Sequence, residues 1–371
     1  MKSIRVGWVL ERTEKINRQK FEPLFEELNK FEELNVKIDA FKTGDWGDDV
    51  YVFPSDRLRR LVARLFLKNG QTFEIARWLK QYDIVHIRHS FLFSKILPLV
   101  ERSPRPKLVM SLRGGDTYVK PWISETWRNY YDVDKRHNLI DRYLVRSENQ
   151  ADYLTQKWKV NPDKVIVSGV GTPVPVAASA KFFPTNGRIV IVSVMRLTWE
   201  KNILQSLLFI KKLKNLGLDF EYHVVGEGPE LGQLMYLINR LELNETVVYH
   251  GYQKAGEIAK FLEKSHFILQ LSISEALSAS LLEAQAKGLV PIVFDSGGIP
   301  EAVSVANTSS ALMAELGDLD SLLKQFMEIV ENPEIYHTKS KAALNVVRSK
   351  FALSYEAESL RSVYHDLYSS K

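Results

Sequence analysis

Two glutamates eight positions apart, Glu275 and Glu283, lie in the segment 274–288 that follows an apolar strand. A helix is expected to start here with Ser272 or Ser274 as its cap, because a serine hydroxyl can bond the free backbone N–H groups of a helix start. Glu283 would then lie two turns after Glu275 on nearly the same face. Both carboxylates could accept hydrogen bonds from the hydroxyl groups of one ligand. The alternative is a solvated helix that carries two surface acids.

The start of the same helix predicts an anion site. Backbone N–H groups of Ala276, Leu277 and Ser278 would point out of its N-terminus, where the helix dipole also favours negative charge. Glu275 would lie at the rim of that site.

Two cations, Arg196 and Lys201, flank a predicted turn between a strand and a helix. The strand before them is the apolar run 188–194, and ligands of parallel sheets bind at the carboxyl ends of the strands. An Arg can bind a diphosphate through two parallel hydrogen bonds, and a Lys can act as a point charge. The alternative is ordinary loop charge.

Glycines follow two further strands of the second half. Gly297 and Gly298 come after the apolar strand 290–294 and would let the backbone approach a ligand closely, whereas a plain turn is the alternative. The segment 225–229 reads Val-Gly-Glu-Gly-Pro, but its spacing does not fit a dinucleotide-binding motif. We interpret it as a strand-to-helix turn in which Pro229 starts the helix.

The first half holds one comparable segment, 111–116, which also follows a strand. It combines the cation Arg113, a pair of glycines that begins at Gly114, and the acid Asp116. These residues could contact a ligand at the edge of the sheet. The alternative is a capped turn in which Asp116 bonds the backbone.

The elements that must position these residues alternate between strands and helices, which predicts parallel α/β sheets. Strands are expected at 4–10, 36–41, 83–87, 107–112, 143–145, 188–194, 220–225, 247–250, 267–271 and 290–294, and helices at 21–31, 56–68, 72–81, 202–216 and 354–367. An aperiodic stretch rich in Gly, Pro and Ala, 168–187, separates two such halves. We therefore predict two Rossmann-like domains, 1–175 and 176–350, that face each other across a cleft, and a final helical segment, 351–371.

Composition limits the classes of function. The 371 residues include no cysteine, which excludes a disulfide scaffold, a thiolate metal site and a cysteine nucleophile, and which fits a reducing cytosol. The N-terminus lacks the pattern of a signal peptide, and no window of about 18 apolar residues occurs. We therefore expect a cytoplasmic protein without a membrane-spanning helix.

The net charge of +5 is uneven. Residues 1–175 carry 31 Lys and Arg against 23 Asp and Glu, whereas the remainder carries 19 against 22. A basic half could bind nucleic acid, an anionic membrane or an anionic substrate. Nucleic acid is the weakest of these readings and is not expected as a partner, because the basic residues lack the interleaved aromatic side chains of a known module.

A basic amphipathic helix is predicted over Arg57–Lys68. Leucines and a valine follow helical spacing there, and Arg57, Arg60, Arg64 and Lys68 line another face. Such a helix can lie on an anionic leaflet, which would place the protein peripherally on the inner face of the cell membrane. The alternative is a packed surface helix with a solvated basic face.

Taken together, the segments of 190–303 resemble the retaining family-four glycosyltransferases of the GT-B fold. The shared features occur in a specific order: Arg196-x4-Lys201, Val-Gly-x-Gly-Pro at 225–229, His250-Gly251-Tyr252, the Glu275-x7-Glu283 pair, and Gly-Gly-Ile-Pro-Glu at 297–301. The first half matches less well, at 113–116 and by its strand pattern. The resemblance implies that a sugar passes from a nucleotide-sugar donor to a glycan or lipid-linked acceptor, with retention of configuration and without a metal ion or cofactor. It also implies that the C-terminal helix packs back on the N-terminal domain, which holds the acceptor.

The resemblance assigns a role to each charged position. Arg196 and Lys201 would hold the donor diphosphate, Glu275 would contact the transferred sugar, and Glu283 would bind the donor ribose. Arg113 would face the acceptor or the sugar, together with Gly114 and Asp116. The other expected donor contacts are Ala276, Leu277 and Ser278 around the sugar and phosphate, Gly251 and Tyr252 along the base, and Gly297 and Gly298 at the closing side.

Three departures from the family pattern concern the sugar and the acceptor. Ala276 and Ser278 replace two glycines that family members often have, which would reshape the sugar pocket. Arg113 replaces the family's usual His, and it would either bind the sugar differently or favour an anionic group. The glycine-rich loop expected after the first strand is replaced by 8–12.

Two weaker signals and two alternative functions complete the predictions. Asp132 and Asp134 match a metal-binding D-x-D motif, but they lie in a polar, helical stretch, and we interpret the match as chance. His86 or His89 could serve the acceptor, although a lone His is more often structural. The alternative functions are a nucleotide-sugar-binding protein without transferase activity and a nucleotide-sugar epimerase.

Overall fold

The computed structural model describes residues 3–10, 15–40, 51–52, 81–88, 90–93, 105–128, 139–175, 177–185 and 187–370. Contacts between Cα atoms divide the chain into two compact units. Unit 1 comprises Met1–Gly171 and Leu353–Lys371, and unit 2 comprises Thr172–Ala352. The predicted helix at 56–68 lies outside the described residues, and so does the predicted helix at 72–81 except for its last residue.

Within the described residues, unit 1 is built on a parallel sheet of seven strands. Its strands are β1 (Ile4–Leu10), β2 (Leu34–Ala40), β3 (Tyr51–Val52), β4 (Ile84–Ile87), β5 (Lys107–Ser111), β6 (Arg142–Val145) and β7 (Val165–Val167), in the order β3-β2-β1-β4-β5-β6-β7. Neighbouring strands pair in parallel throughout. The short apolar runs at β4, β5 and β6 are buried because helices cover both faces of such a sheet.

The described helices of unit 1 are α1 (Lys15–Leu28), α2 (Gly115–Tyr118), α3 (Lys120–Ile123), α4 (Glu125–Arg128), α5 (Glu148–Trp158) and the C-terminal helix (Leu353–Ser369). Ser147 caps α5, since its hydroxyl accepts the backbone N–H of Gln150 at 3.2 Å. The C-terminal helix packs against α1 and β1. Polar contacts help to fix it there, among them the indole N–H of Trp8, which donates to the Tyr364 hydroxyl at 2.9 Å inside the core.

Unit 2 contains a parallel sheet of six strands. These are β8 (Ile189–Val194), β9 (Phe220–Val225), β10 (Val247–Tyr249), β11 (Phe267–Gln270), β12 (Val290–Phe294) and, after the short antiparallel pair β13 (Ser304–Val305) and β14 (Thr308–Ser309), β15 (Leu312–Ala314). The order is β10-β9-β8-β11-β12-β15. The order reverses beside β8, where the chain returns to add β11, and Rossmann-like sheets bind ligands at such a point.

The helices of unit 2 are α6 (Ile203–Asn215), α7 (Leu231–Arg240), α8 (Ala255–Lys264), α9 (Ala279–Gln285), α10 (Ile299–Val303), α11 (Leu319–Glu331) and α12 (Pro333–Lys350). Asp318 caps α11 by accepting the Ser321 N–H at 3.0 Å. The apolar faces of α6 and α11 meet the sheet in one core, in which Phe209, Phe267 and Phe326 are buried. The predicted α/β class with parallel sheets is therefore confirmed in both units.

No helix within the described ranges combines the length and the apolar character that crossing a lipid bilayer requires.

Candidate functional site

The candidate site of unit 2 lies at the carboxyl edge of its sheet. The segments that follow β8, β9, β11 and β12 all leave the sheet at this edge, because the strands run parallel. Ligands of open α/β sheets bind just outside such an edge. Three of these segments, those after β8, β11 and β12, carry the predicted donor-site residues. The exceptions are Gly251, Tyr252 and Glu283.

An ion pair joins Nζ of Lys201, after β8, to Oε1 of Glu275, after β11. The two side chains are only 16% and 12% exposed, so water screens the pair weakly. The same oxygen of Glu275 accepts hydrogen bonds from Gln270 Nε2 at 2.9 Å and from Ser272 Oγ at 3.2 Å. The structure thus brings two predicted site residues together and fixes the orientation of one carboxylate.

Gln270 is part of this network although the sequence analysis does not single it out. It is the last residue of β11, and its side chain is buried. Its amide nitrogen bonds Glu275, and its amide oxygen accepts a hydrogen bond from Ser278 Oγ at 2.7 Å. Gln270 therefore links the carboxylate to the start of α9. The signal was a polar residue at the end of an otherwise apolar strand.

The predicted start of the glutamate-bearing helix is wrong. Helix α9 begins at Ala279 with Ser278 as its cap, since the Ser278 hydroxyl accepts the Leu281 N–H at 3.4 Å. Ala276, Leu277 and Ser278 therefore precede the helix and are buried, so their N–H groups do not form its exposed N-terminus. Glu275 does not share a helical face with Glu283. Contacts to other loops hold Glu275 in this non-helical segment.

Gly297 holds that non-helical segment through close backbone packing. Its φ of 56° lies in the left-handed region, and a Cβ atom built there would lie 2.1 Å from the carbonyl oxygen of Glu275. The same oxygen accepts the Gly298 N–H at 2.8 Å, and Ser296 Oγ donates to the Ser272 carbonyl at 2.8 Å. The two predicted glycines thus position the Glu275 backbone.

Arg196 lies on the same loop as Lys201 but does not join the buried pair. Its side chain is 73% exposed and reaches Glu200 Oε1 at 3.3 Å. The carbonyl of Glu200 accepts the Ile273 N–H at 2.8 Å, which ties this loop to the segment that carries Glu275. The structure therefore places Arg196 on the solvent side of a loop whose backbone is fixed.

The turn after β9 packs against the loop after β8 and against Gly251. A Cβ atom on Gly226, whose φ is 133°, would lie 1.8 Å from the Met195 carbonyl oxygen. The N–H of Gly226 donates to the Gly251 carbonyl at 2.8 Å. Tyr252 is exposed beside Gly251. Glycine is required at 226 for a close approach between backbones. The predicted strand-to-helix turn is present, but the prediction that Pro229 starts the helix is wrong, because α7 begins at Leu231 with Glu230 as its N-cap residue.

His250 precedes Gly251 and bonds a second histidine. Its Nε2 lies 2.9 Å from His223 Nδ1, and His223 Nε2 lies 3.3 Å from Glu221 Oε1. Burial and the neighbouring His223 lower the pKa of His250 below its ordinary value. A neutral His250 can accept a hydrogen bond at one ring nitrogen and donate one at the other.

Glu283 lies in α9 and is exposed, whereas Leu281, Leu282 and Ala284 beside it are buried. Its helix is therefore anchored through the opposite face, and the carboxylate lies on the outer one. This is where the structure places the residue predicted to bind a ribose.

Two family models match the chain. Residues 33–174 match Glycosyltransferase Family 4, and residues 177–346 match Glycosyl transferases group 1. The chain belongs to the family-four glycosyltransferases.

Named relatives of this family-four chain include N-acetyl-alpha-D-glucosaminyl L-malate synthase of Bacillus anthracis, 27% identical over 150 residues, or 40% of this chain and 38% of that protein. WcaL of Salmonella typhimurium, whose name links it to colanic acid biosynthesis, is 25% identical over 262 residues, or 69% of this chain and 62% of that protein. The chain thus spans less than two thirds of either relative.

Among solved structures, HepE of Anabaena in complex with UDP and glucose superposes with a TM-score of 0.76 at 13% identity. The match covers 98% of this chain and 99% of HepE. The predicted GT-B fold of two Rossmann-like domains is thereby confirmed.

In unit 1 of this family-four glycosyltransferase, Asp116 holds the turn that carries Arg113. Its Oδ1 accepts the Arg113 N–H at 2.8 Å, and its Oδ2 accepts the Ser90 hydroxyl at 2.6 Å. Gly114 between them has a φ of 101°, which favours glycine. Asp116 is buried, so the capped-turn alternative describes it. Arg113 is half-buried, with its guanidinium 5.5 Å from the Phe21 ring centroid.

His86 is structural in its contacts. The ring is fully buried, with Nδ1 2.6 Å from the Tyr364 hydroxyl and Nε2 2.8 Å from Ser111 Oγ. Burial and the nearby Arg88 charge place its pKa well below the ordinary value. His89, Asp132, Asp134 and the predicted basic helix at 57–68 lie outside the described residues.

Proposed function

We propose that this chain transfers a sugar from a nucleotide-sugar donor to an acceptor, with the donor held by unit 2 and the acceptor by unit 1. The observation that carries the proposal is the pairing of Lys201 with Glu275 at the carboxyl edge of the unit 2 sheet. Membership of the family supports sugar transfer. The UDP and glucose bound to HepE support a nucleotide-sugar donor.

Lys201 supplies positive charge for the leaving diphosphate. An ammonium group has three N–H donors, and within the described part of the chain Nζ of Lys201 bonds Glu275 only. Two donors are thus available for phosphate oxygens, and the exposed Arg196 adds a second cation. Negative charge grows on the diphosphate oxygen as its bond to the sugar C1 breaks, so fixed cations there lower the barrier.

Retention of configuration belongs to the proposal. The acceptor oxygen would attack C1 on the face that the diphosphate leaves, and the acceptor proton would pass to the departing diphosphate oxygen. Glu275 would hold hydroxyl groups of a hexose, and Glu283 would hold the ribose. Side-chain cations would take the place of a metal ion. The acceptor would be a glycan or lipid-linked glycan in polysaccharide biosynthesis, as the name of WcaL supports.

A thermal-shift panel of UDP, GDP and ADP, each alone and as a nucleotide sugar, tests the donor. We expect one nucleotide to stabilise the protein, because a ligand that binds only the folded state raises its free energy of unfolding. Lys201→Ala and Glu283→Ala should weaken that response, whereas Lys324→Ala and Glu331→Ala, exposed on α11, should not. A response to no nucleotide, or an equal response in all four variants, would contradict the assignment.

The same donor then separates the alternative functions. Transfer to a glycan acceptor, with the anomeric configuration read by NMR, is the expected result. Binding without turnover would indicate a nucleotide-sugar-binding protein, and conversion of the free nucleotide sugar into an epimer would indicate an epimerase. Inversion at C1 would contradict the proposed retention of configuration and leave the proposed sugar transfer intact.

The peripheral membrane location stays a prediction for the segment 57–68. Co-sedimentation with phosphatidylglycerol vesicles tests it. Changing Arg57, Arg60 and Arg64 to Glu should abolish binding if that segment makes the contact. Unchanged binding would contradict it.

A further inference from the structure

Three arginines follow three neighbouring strands of unit 1. Arg88 comes directly after β4, Arg113 two residues after β5, and Arg146 directly after β6. These strands are adjacent and parallel, so all three residues leave the sheet at the same edge. Their charges interact, because burial, then Arg146, then Arg88 lower the pKa of Arg113 to about 9. Arg113 therefore remains a cation at neutral pH.

The acids near this arginine cluster (Arg88, Arg113 and Arg146) already have other partners. Asp116 accepts the Ser90 hydroxyl and the Arg113 backbone N–H. Glu356, from the C-terminal helix, accepts the Gly171 N–H at 2.7 Å. Glu356 also forms an ion pair with the cluster, between Arg88 Nη2 and Glu356 Oε1 at 3.3 Å.

Two members of the cluster, Arg88 and Arg113, have guanidinium N–H groups that no described residue accepts. Arg88 is 7% exposed, its Nε is buried, and no described residue bonds that atom. Its guanidinium lies over the Trp8 ring, 4.5 Å from the centroid, which contributes attraction but accepts no strong hydrogen bond. The Arg113 guanidinium has no ion pair or hydrogen bond within the described ranges. A buried donor without an acceptor is costly, and Nε of Arg88 is such a donor.

We propose that the arginine cluster is a binding site for a carboxylate or phosphate group of the acceptor. A planar guanidinium matches the paired oxygens of either group, and its bonds to them are charge-assisted. The proposal rests on the proposed function, which assigns the acceptor to unit 1. It refines that function, since a neutral glycan would bring no anionic acceptor to the guanidinium groups of Arg88 and Arg113.

Inorganic phosphate is the first probe. Thermal shifts are measured against sodium chloride at equal ionic strength in a Lys201→Ala background, because phosphate could also occupy the predicted diphosphate position of unit 2. Arg113→Gln and Arg146→Gln should each bind phosphate about tenfold more weakly, the loss expected for one hydrogen bond to a charged group. Arg142→Gln is the matched control, since Arg142 lies at the opposite end of β6.

An equal phosphate response in all three variants, or none beyond the chloride control, would overturn the proposal. Arg113→Lys keeps a charge but loses the planar fork. It should retain part of the response, and it replaces Arg113→Gln if that variant does not fold.

A second experiment asks which substrate carries the anionic group. With the nucleotide identified as above, donors with a neutral sugar and with a uronic acid are compared in the wild type and in Arg113→Gln. We expect both proteins to bind the donors equally well. We also expect Arg113→Gln to lose transfer to carboxylated or phosphorylated acceptors only. Weaker binding of the uronic acid donor alone would overturn the acceptor assignment.

The two proposals fail in different ways. One outcome is that a nucleotide stabilises the protein as expected but the phosphate response does not depend on Arg113 and Arg146. That outcome would contradict the anion site and leave the proposed function intact. A phosphate response that depends on both arginines, without any nucleotide response, would remove the proposed function instead.

Discussion

In unit 2 the cation Lys201 bonds the carboxylate of Glu275, whereas in unit 1 the guanidinium of Arg113 forms no ion pair among the described residues, although Asp116 and Glu356 lie near enough to act on its charge. Both cations follow a central strand of a parallel sheet, at its carboxyl edge. The same fold therefore places charge in the same position but balances it differently. Unit 2 supplies its own counter-charge and is organised before a ligand arrives. Unit 1 leaves the balance to be completed by a ligand.

Lys201→Ala is expected to have the largest effect. Loss of one fixed donor to a developing oxyanion costs roughly 10²–10³-fold in turnover. The fold should persist, because Gln270 and Ser272 still bond Glu275. Steady-state rates and circular dichroism check both statements.

Lys324→Ala, exposed on α11, is the matched control and should turn over normally. A Lys201→Ala rate within about threefold of the wild type, far from the loss expected for a catalytic donor, would remove Lys201 from the machinery.

Gly297→Ala tests how firmly unit 2 is organised in advance. Left-handed backbone costs a non-glycine residue roughly 1–2 kcal/mol, and forcing a side chain into a packed space costs about 1–3 kcal/mol more. The added Cβ would meet the Glu275 carbonyl. We therefore expect the free energy of unfolding to fall by about 3 kcal/mol and donor binding to weaken. Urea unfolding and the thermal-shift panel measure the two effects.

Gly217→Ala separates the two causes, because Gly217 also has a positive φ but no atom within 4 Å of its added Cβ. It should cost about 1 kcal/mol, the backbone part alone, and leave donor binding unchanged. Equal losses in both variants would mean that packing at Glu275 contributes nothing.

The strands of both units were predictable because their signal is local. The apolar run 290–294 is found as β12, and 188–194 becomes β8 with one residue fewer. Strands buried on both faces read as continuous apolar segments.

The start of α9 was not predictable, because several serines could have capped it. The choice of Ser278 depends on Glu275, which is bonded to Lys201 74 positions earlier and to the Gly298 N–H. Neither contact has a local signature. Gln270 has a local signal, as the polar residue that ends an apolar strand, but its bonds to Glu275 and Ser278 have none.

The arginine cluster was predictable from the sequence only in part. Each member follows a predicted strand, so the pattern of three was present in the sequence. Its meaning depends on the strands being neighbours and on Glu356 arriving from the far end of the chain. The sequence analysis therefore found Arg113 and did not connect it with Arg88 and Arg146.

Lowering the pH should reduce the free energy of unfolding of unit 1 through His86. This prediction tests whether the buried ring stays uncharged in the folded protein. The folded pKa lies well below the ordinary value, whereas an unfolded His titrates near about 6.5. Below that pH the unfolded chain takes up a proton that the folded chain does not, so the free energy of unfolding falls as pH falls. The slope is at most about 1.4 kcal/mol per pH unit, or about 2 kcal/mol between pH 7 and 5.

His86→Gln keeps polar contacts to Tyr364 and Ser111 within reach but cannot take up the proton. Urea unfolding across this range should therefore give a flatter curve for the variant than for the wild type. Parallel curves would show that another group carries the acid sensitivity.

The smallest expected change comes from removing both members of the Arg88–Glu356 pair. Losing one partner of a buried ion pair costs roughly 3–5 kcal/mol, whereas replacing both with neutral groups is often close to neutral. Arg88→Met with Glu356→Gln keeps an acceptor for the Gly171 N–H and a polarisable side chain against Trp8. The double variant should unfold within about 1 kcal/mol of the wild type, while Arg88→Met alone should lose more, and the phosphate response should weaken in both. A double variant as unstable as the single one would mean that Arg88 is held for the fold. Near-native stability with a lost phosphate response would mean that the charge serves the ligand. Unit 1 would then differ from unit 2 in that a ligand, and not the protein itself, balances its charge.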